Sequence, residues 1–208
     1  MAEASPRRRV EWDVLGIEAA AIFFSVLLGF AVTEWREARA NARSVEQAVG
    51  AYADEIEENQ RRVAGGYAYH VAMSEALPRL DAPDGAPLLA LLPEVGWRGP
   101  RQVVFLDAAR ETSRATGVLG LLPFDRASVL VGLYNAQDGL DATERGLAEA
   151  AFNPAVLDDA NTAATLRSIG TYFQMVVEQE GNLLQAYRRA IEALDLDVIP
   201  AADTLLID

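Results

Sequence analysis

The sequence has no cysteine, no lysine and a single histidine, His70. Without cysteine there can be no disulfide, no thiolate nucleophile and no cysteine-ligated zinc or iron–sulfur cluster. One histidine excludes every site that needs two imidazole ligands. The sequence also contains no recognisable catalytic motif. We therefore expect no catalytic residues, no metal site and no cofactor, and we predict that the protein is not an enzyme.

Positive charge is also scarce, because 18 arginines stand against 31 acidic residues and the formal net charge is −13. A chain of this charge repels a phosphate backbone, so nucleic acid is not an expected partner. The acidity is concentrated in residues 63–208, which hold ten arginines and twenty acidic residues. We expect this part to meet basic patches on a partner.

What the sequence does have is one long apolar run at residues 14–33, in which Glu18 is the only ionisable residue. Twenty helical residues span about 30 Å, the thickness of the hydrocarbon core of a bilayer. Trp12 and Trp35 flank the run and are predicted to be interfacial anchors. The run predicts one transmembrane helix. A signal peptide fits less well because the run is long and leads into charged helical sequence, and a soluble core helix would show a polar face.

Arginines lie on both sides of this predicted transmembrane helix and bear on its orientation. Residues 7–9 are arginines, and Arg36, Arg39 and Arg43 lie on the other side, so the positive-inside count is nearly balanced. Because a thirteen-residue tail with a cluster of three arginines is easily retained, we expect residues 1–13 to be a cytoplasmic tail. The expected location is the bacterial inner membrane, with a single span and a periplasmic C-terminal domain.

A stripe on the transmembrane helix is a candidate packing face. Glu18, Ala21, Ser25 and Gly29 recur at intervals of three and four residues, which places a carboxylate beside three small side chains. Small residues let helices approach closely in lipid, and Glu18 could meet a cation or a hydrogen-bond donor there. Alternatively, Glu18 reaches the headgroup region. The span has no histidine, which removes the usual axial ligand for haem or chlorophyll-type pigments.

Residues 34–64 are predicted to continue the helix as an amphipathic stalk. Apolar residues recur there at helical intervals, with Asn59 on the same stripe: Val45, Val49, Tyr52, Ile56 and Val63. Neighbouring acidic residues could suggest a divalent-ion site, but consecutive carboxylates on a helix point in different directions. We interpret Asp54, Glu55, Glu57 and Glu58 as a solvated face.

Residues 65–194 are predicted to form a helical extramembrane domain. Gly65 and Gly66 should weaken the helix before a short helical stretch at residues 67–77, in which the lone His70 is interpreted as a packed or surface residue. Residues 78–100 read as an irregular crossover rich in proline and glycine, with one helical turn at residues 88–92.

Three further helices are predicted at residues 103–118, 124–151 and 155–194, before a C-terminal tail at residues 195–208. The last helix carries a coiled-coil-like seam in which Glu180 occupies one position; its apolar members are Leu166, Ile169, Phe173, Val176, Leu183, Tyr187 and Leu194. No segment alternates with period two. The fold class is therefore all-α: an N-terminal transmembrane helix that continues into a stalk, then a helical bundle with a long C-terminal helix.

Several segments resemble uncharacterised bacterial single-pass membrane proteins. They are the anchor and its exit FSVLLGFAVTEWREAR, the stalk sequence DEIEENQRRV, the element AARETSRATGVLGLLP and the segment LYNAQ. This resemblance implies an anchored helical domain without known activity, and it supplies no catalytic residue.

The anchor, the helical domain and the lack of catalytic groups favour a structural role. We expect a non-catalytic accessory subunit that stabilises a larger bacterial membrane complex, for instance in photosynthetic or respiratory electron transport. Its expected partners are the lipid bilayer and other integral membrane subunits, contacted through the transmembrane helix and the acidic domain. The alternative is a membrane-anchored periplasmic sensor or interaction module.

Overall fold

A computed structural model describes residues 12–83, 85–151, 153 and 158–201. These residues contain helices and no strand, which confirms the all-α prediction. The α-helices are α1 (Trp12–Ala76), α2 (Leu88–Leu91), α3 (Ala108–Thr116), α4 (Phe124–Ala151) and α5 (Thr162–Leu194). Short 3-10 helices lie at Leu77–Arg79, Leu92–Val95, Val118–Leu121 and Asp159–Asn161.

The chain divides into two units, and α1 contributes to both. The first unit ends at Ser44, and its described part is helical. Every side chain from residue 15 to residue 43 is exposed, including the large apolar Ile17, Phe24 and Leu28. Within the described residues α1 is the one helix long and apolar enough to cross a membrane, by length and composition.

The second unit, residues 45–208, is built on three helices. Tyr134 of α4 contacts Glu55 of α1, and Tyr187 of α5 contacts Gln137 of α4. Near the other end, His70 of α1 contacts Glu180 of α5. Residue numbers therefore rise together along α1 and α4 and fall along α5. The second part of α1 is parallel to α4, and α5 is antiparallel to both.

The predicted apolar stripes form the core of this unit. All seven apolar seam residues of α5 are buried, as are Tyr52, Ile56, Val63 and Asn59 of the stripe on α1, whereas Val45 and Val49 are partly buried. The buried apolar residues fall into two clusters, one around Tyr52, Leu133 and Tyr187 and the other around Met73, Leu88 and Phe173. The seam and stripe predictions are confirmed.

Helix boundaries differ from the prediction at three places, in α1, α5 and α3. Helix α1 continues through Gly65 and Gly66, although glycine inside a helix costs about 1 kcal/mol relative to alanine, because both neighbouring turns are held in the core by Val63 and Tyr69. Helix α5 begins at Thr162 rather than at residue 155; residues 154–157 lie outside the described part. The turn at Leu88–Leu91 and the helix at residues 124–151 are confirmed.

The predicted helix at residues 103–118 begins only at Ala108, because side chains of α1 and α4 bind the preceding backbone. Val103 donates its N–H to Glu144 over 2.8 Å. Both backbone groups of Leu106 pair with the amide of Asn59, each over 2.8 Å. These contacts satisfy the backbone without a helical turn. Helix α3 ends at Thr116 and is capped by Gly117, whose φ of 74° favours glycine.

The interpretation of the acidic residues on α1 as a solvated face is wrong for Glu55, which is buried. Its carboxylate accepts the N–H of Ala109 over 2.7 Å and the hydroxyl of Tyr134 over 2.5 Å. Burial and the neighbouring carboxylate raise the pKa of Tyr134, which keeps the hydroxyl a donor. Asp54 and Glu57 are exposed, as the prediction had them.

Candidate functional site

The predicted membrane stripe lies on one face of α1. Glu18, Ala21, Ser25 and Gly29 are all helical and exposed. The Ser25 hydroxyl donates to the carbonyl of Ala21 over 2.7 Å. The one hydroxyl of the stripe is therefore satisfied within α1 itself. A Cβ placed at Gly29 would meet no described atom within 4 Å apart from its chain neighbours and the adjoining helix backbone. The packing of this face against another helix stays a prediction.

The structure describes the side chain of one of the two tryptophans predicted as anchors. Trp35 lies on α1 and is 61% exposed, and the guanidinium carbon of Arg39 lies 5.6 Å from the centre of its ring. At this distance the guanidinium makes a cation–π interaction with the ring. Helix α1 begins at Trp12, but the side chain of Trp12 lies outside the described part of the chain.

A second group of polar residues, which we call the buried triad, lies in the interior of the second unit. It comprises His70 of α1, Glu144 of α4 and Glu180 of α5, all at most 1% exposed. His70 Nδ1 and Glu180 Oε1 are 2.8 Å apart. One nitrogen or oxygen from each of the three residues lies within 4.8 Å of the others. Three helices therefore bring one imidazole and two carboxylates to a single point in the core.

Three atoms of the buried triad lack partners. His70 Nε2, Glu144 Oε1 and Glu180 Oε2 are buried and make no hydrogen bond to any described residue. The backbone of Pro100 lies near the imidazole and contributes to raising the pKa of His70. It does not form a hydrogen bond of normal geometry with Nε2. An unpaired buried polar group costs about 1–3 kcal/mol, more if it is charged. This arrangement therefore has capacity for a further ligand or proton.

Burial shifts the protonation of the buried triad. It raises the pKa of Glu144 to about 7, against the lowering effect of the Val103 N–H, and it also raises the pKa of Glu180. Burial lowers the pKa of His70, but the bond to Glu180 and the two carboxylate charges outweigh it, so the pKa of His70 is raised. The pKa of each of the three groups is therefore raised above its ordinary value.

A loop anchored by Tyr69 supports the buried triad. The Tyr69 hydroxyl donates to the carbonyl of Gly99 over 2.7 Å and accepts the N–H of Arg98 over 3.0 Å. The same loop contains Arg101 with a φ of 50°, which is uncommon for a residue other than glycine. Two residues later, the N–H of Val103 binds Glu144. The loop thereby holds one oxygen of Glu144 and leaves the other free of protein donors.

Gly66 provides the space for the contact between His70 and Glu180. A Cβ at this position would lie 3.3 Å from His70 Cε1 and 3.6 Å from Glu180 Oε1. The first separation is tighter than most Cβ contacts, so a methyl group would press on the imidazole. Gly66 therefore accommodates the buried triad, whereas the sequence alone suggested only a weak point in the helix.

Comparison of the chain with protein-family models, with curated proteins and with solved structures finds no match. The resemblance to single-pass membrane proteins therefore stays a prediction.

Sequence reasoning singled out His70 and Glu180 separately and did not single out Glu144. Glu180 interrupts an apolar seam, and His70 was expected to be packed or at the surface, but no motif links these residues with Glu144. An ionisable residue at a core position of an amphipathic helix is the available signal, because such a residue needs a partner. Spacing cannot identify that partner on another helix.

The pKa shift of Glu144 predicts how stability depends on pH. Between about pH 4.5 and 7 the unfolded chain releases this proton while the folded chain retains it, so stability falls as pH rises through this window. The loss from Glu144 is about 3 kcal/mol. Urea unfolding of the chelator-treated chain at pH 5 and pH 8 measures this loss of stability. We expect most of the loss to disappear in the Glu144→Gln variant.

Glu149 on the same helix is exposed and offers the matched control. Glu149→Gln should keep the pH dependence of the unaltered chain. If the stability of the Glu144→Gln variant depended on pH as much as that of the unaltered chain, the pH dependence could not be assigned to Glu144.

Proposed function

We propose that the protein is a non-catalytic, membrane-anchored accessory subunit that stabilises a larger membrane complex. The observation that carries this proposal is that every side chain of residues 15–43 on α1 is exposed. The two apolar clusters of the second unit contain none of these residues. Exposed apolar side chains on this scale need a covering environment, and lipid together with another membrane helix supplies one.

The acidic second unit provides a second contact with the complex. Its charge attracts basic patches on a partner and is screened by salt, since the Debye length falls from about 10 Å at 0.1 M to about 3 Å at 1 M ionic strength. Several of its acidic residues are exposed, among them Asp54, Glu57 and Glu149. The proposed attachment therefore combines a salt-resistant contact in the membrane with a salt-sensitive contact outside it.

The proposed orientation places the N-terminus in the cytoplasm of a bacterium and the second unit in the periplasm. The arginines at residues 7–9 support it, although residues 1–11 lie outside the described part of the chain. A reporter fused after Asp208 that is active only outside the cytoplasm is the expected result. Activity of a reporter that works only in the cytoplasm would reverse the orientation.

The stripe is tested by Gly29→Leu, which places a bulky side chain where two helix backbones approach closely. We expect membrane insertion to persist and retention in the detergent-solubilised native complex to fall several-fold. Ala31→Leu is the matched control, since Ala31 lies at a similar depth but about 200° around the helix from Gly29. The measurement is the amount of protein that co-purifies with the complex at low and high salt.

Equal retention of the Gly29→Leu and Ala31→Leu variants would mean that the stripe faces lipid. Glu18→Gln adds a separate comparison, because it removes charge but retains shape and hydrogen bonding. Retention should fall in this variant only if a cation on the partner faces Glu18.

A further inference from the structure

We propose that the buried triad of His70, Glu144 and Glu180 binds one divalent first-row transition-metal ion, with Zn²⁺ as the best fit. The sequence predicted no metal site because it lacks cysteine and a second histidine. That reasoning leaves open a site with one imidazole and two carboxylates, which is the donor set that α1, α4 and α5 assemble. This inference is independent of the proposed function.

The unpartnered atoms are the first support. Each carboxylate of the buried triad has one buried oxygen without a hydrogen bond, Glu144 Oε1 and Glu180 Oε2. Two such oxygens in neighbouring residues are costly unless a common ligand satisfies them. A metal ion does so, since it accepts a lone pair from each carboxylate and from His70 Nδ1, the ring nitrogen that faces Glu180.

The charge balance is the second support. Two ionised carboxylates and one protonated imidazole leave a net charge of −1 in the core, which is unfavourable in a low-dielectric interior. A divalent cation with a neutral imidazole and two carboxylates gives a net charge of zero. Proton binding is the competing way to neutralise the site, so metal affinity should rise with pH.

The separations fit a small cation after limited adjustment. Ligand atoms bound at about 2.0–2.2 Å around tetrahedral zinc lie about 3.3–3.6 Å apart. His70 Nδ1 and Glu180 Oε1 are closer than this, at 2.8 Å, and the ligand atoms of the buried triad all lie within 4.8 Å. Shifts of about 1 Å in the side chains bring the triad to these distances. Bidentate binding by one carboxylate completes four-coordination.

The donors also select the ion. Nitrogen and carboxylate oxygen suit Zn²⁺ and Mn²⁺, whereas Cu(I) prefers sulfur and Mg²⁺ retains several waters. The N–H of Val103 binds the other oxygen of Glu144 over 2.8 Å, which orients that carboxylate as an outer-shell partner does. Full burial of all three ligands favours a structural ion that joins three helices over a catalytic ion, which needs an open position.

Zinc titration of the full-length chain tests the proposal. The protein is purified in detergent with a tag that lacks histidine and is stripped with chelator. It is then titrated with Zn²⁺ at pH 7.5, which is about one unit above the ordinary pKa of histidine. We expect one equivalent to bind. At a free zinc concentration about 100 times Kd, the melting temperature should rise by about 5–10 °C.

Variants locate the site. Loss of an outer-shell partner weakens metal binding by about 10- to 100-fold. Glu144→Gln and His70→Gln each remove a ligand and should weaken zinc binding by more than this. Glu55→Gln is the matched control, because Glu55 is also buried and also accepts a backbone N–H; it should bind zinc like the unaltered chain. Absence of stoichiometric binding, or unchanged affinity in the Glu144→Gln variant, would overturn the proposal.

A measurement on the unaltered chain covers the case in which a variant fails to fold. His70 is the only histidine, so its ring signals in an NMR spectrum of ¹⁵N-histidine-labelled protein are unambiguous. Zinc binding at the buried triad should shift the signal of the bound ring nitrogen stoichiometrically. Zinc that binds without moving the His70 signals would be bound by surface carboxylates, and the proposal would then be wrong.

Discussion

Two arginines in the middle of the apolar segment, Phe23→Arg together with Leu27→Arg, are expected to release the protein from the membrane. Both side chains are exposed on α1, at 61% and 46%, so neither substitution disturbs the core of the second unit. Insertion of an arginine at the centre of a membrane helix costs about 3 kcal/mol on the biological scale. Two arginines therefore cost about 6 kcal/mol, which lowers the insertion equilibrium by about 10⁴-fold.

Carbonate extraction of membranes measures this effect as the fraction of protein that stays in the pellet. The control exchanges the same two positions for apolar residues, Phe23→Leu with Leu27→Phe, and it should stay in the pellet as the unaltered protein does. If the double-arginine variant also resists carbonate, residues 14–33 are not the anchor.

The second large effect is expected from Phe173→Ala in the seam of α5. Phe173 is fully buried, and its ring centre lies 5.6 Å from that of Trp97 and 6.1 Å from that of Tyr69, both edge-on. Removal of a buried phenylalanine ring costs about 3–5 kcal/mol, because apolar burial is lost and a cavity remains. The substitution should lower the free energy of unfolding by this amount.

Met175 lies two residues away on the same helix and is 43% exposed, so Met175→Ala is the control. It should change the free energy of unfolding by less than about 1 kcal/mol. Thermal unfolding followed by circular dichroism in detergent compares the two variants. A similar loss in both would mean that the seam of α5 does not face the core.

The long elements of this protein were predictable because their signals are local. The apolar run at residues 14–33 and the seam on α5 depend on spacings within one helix, and the structure contains both helices. The start of α3 was not predictable in the same way. Residues 103–106 have apolar side chains compatible with a helix, but Asn59 and Glu144 bind their backbone, and these partners lie 47 and 41 positions away.

The sequence by itself determined the all-helical fold, the exposed apolar segment near the N-terminus and the acidic character of the second unit. Each depends on composition or on periodicity along one helix. Only the tertiary structure decided that Glu55 is buried, that Gly66 makes room for an imidazole, and that His70 meets Glu180 from 110 positions away. The physical reason is that burial and partner choice depend on the packing of α1, α4 and α5 against each other, which brings together residues that no spacing in the sequence connects.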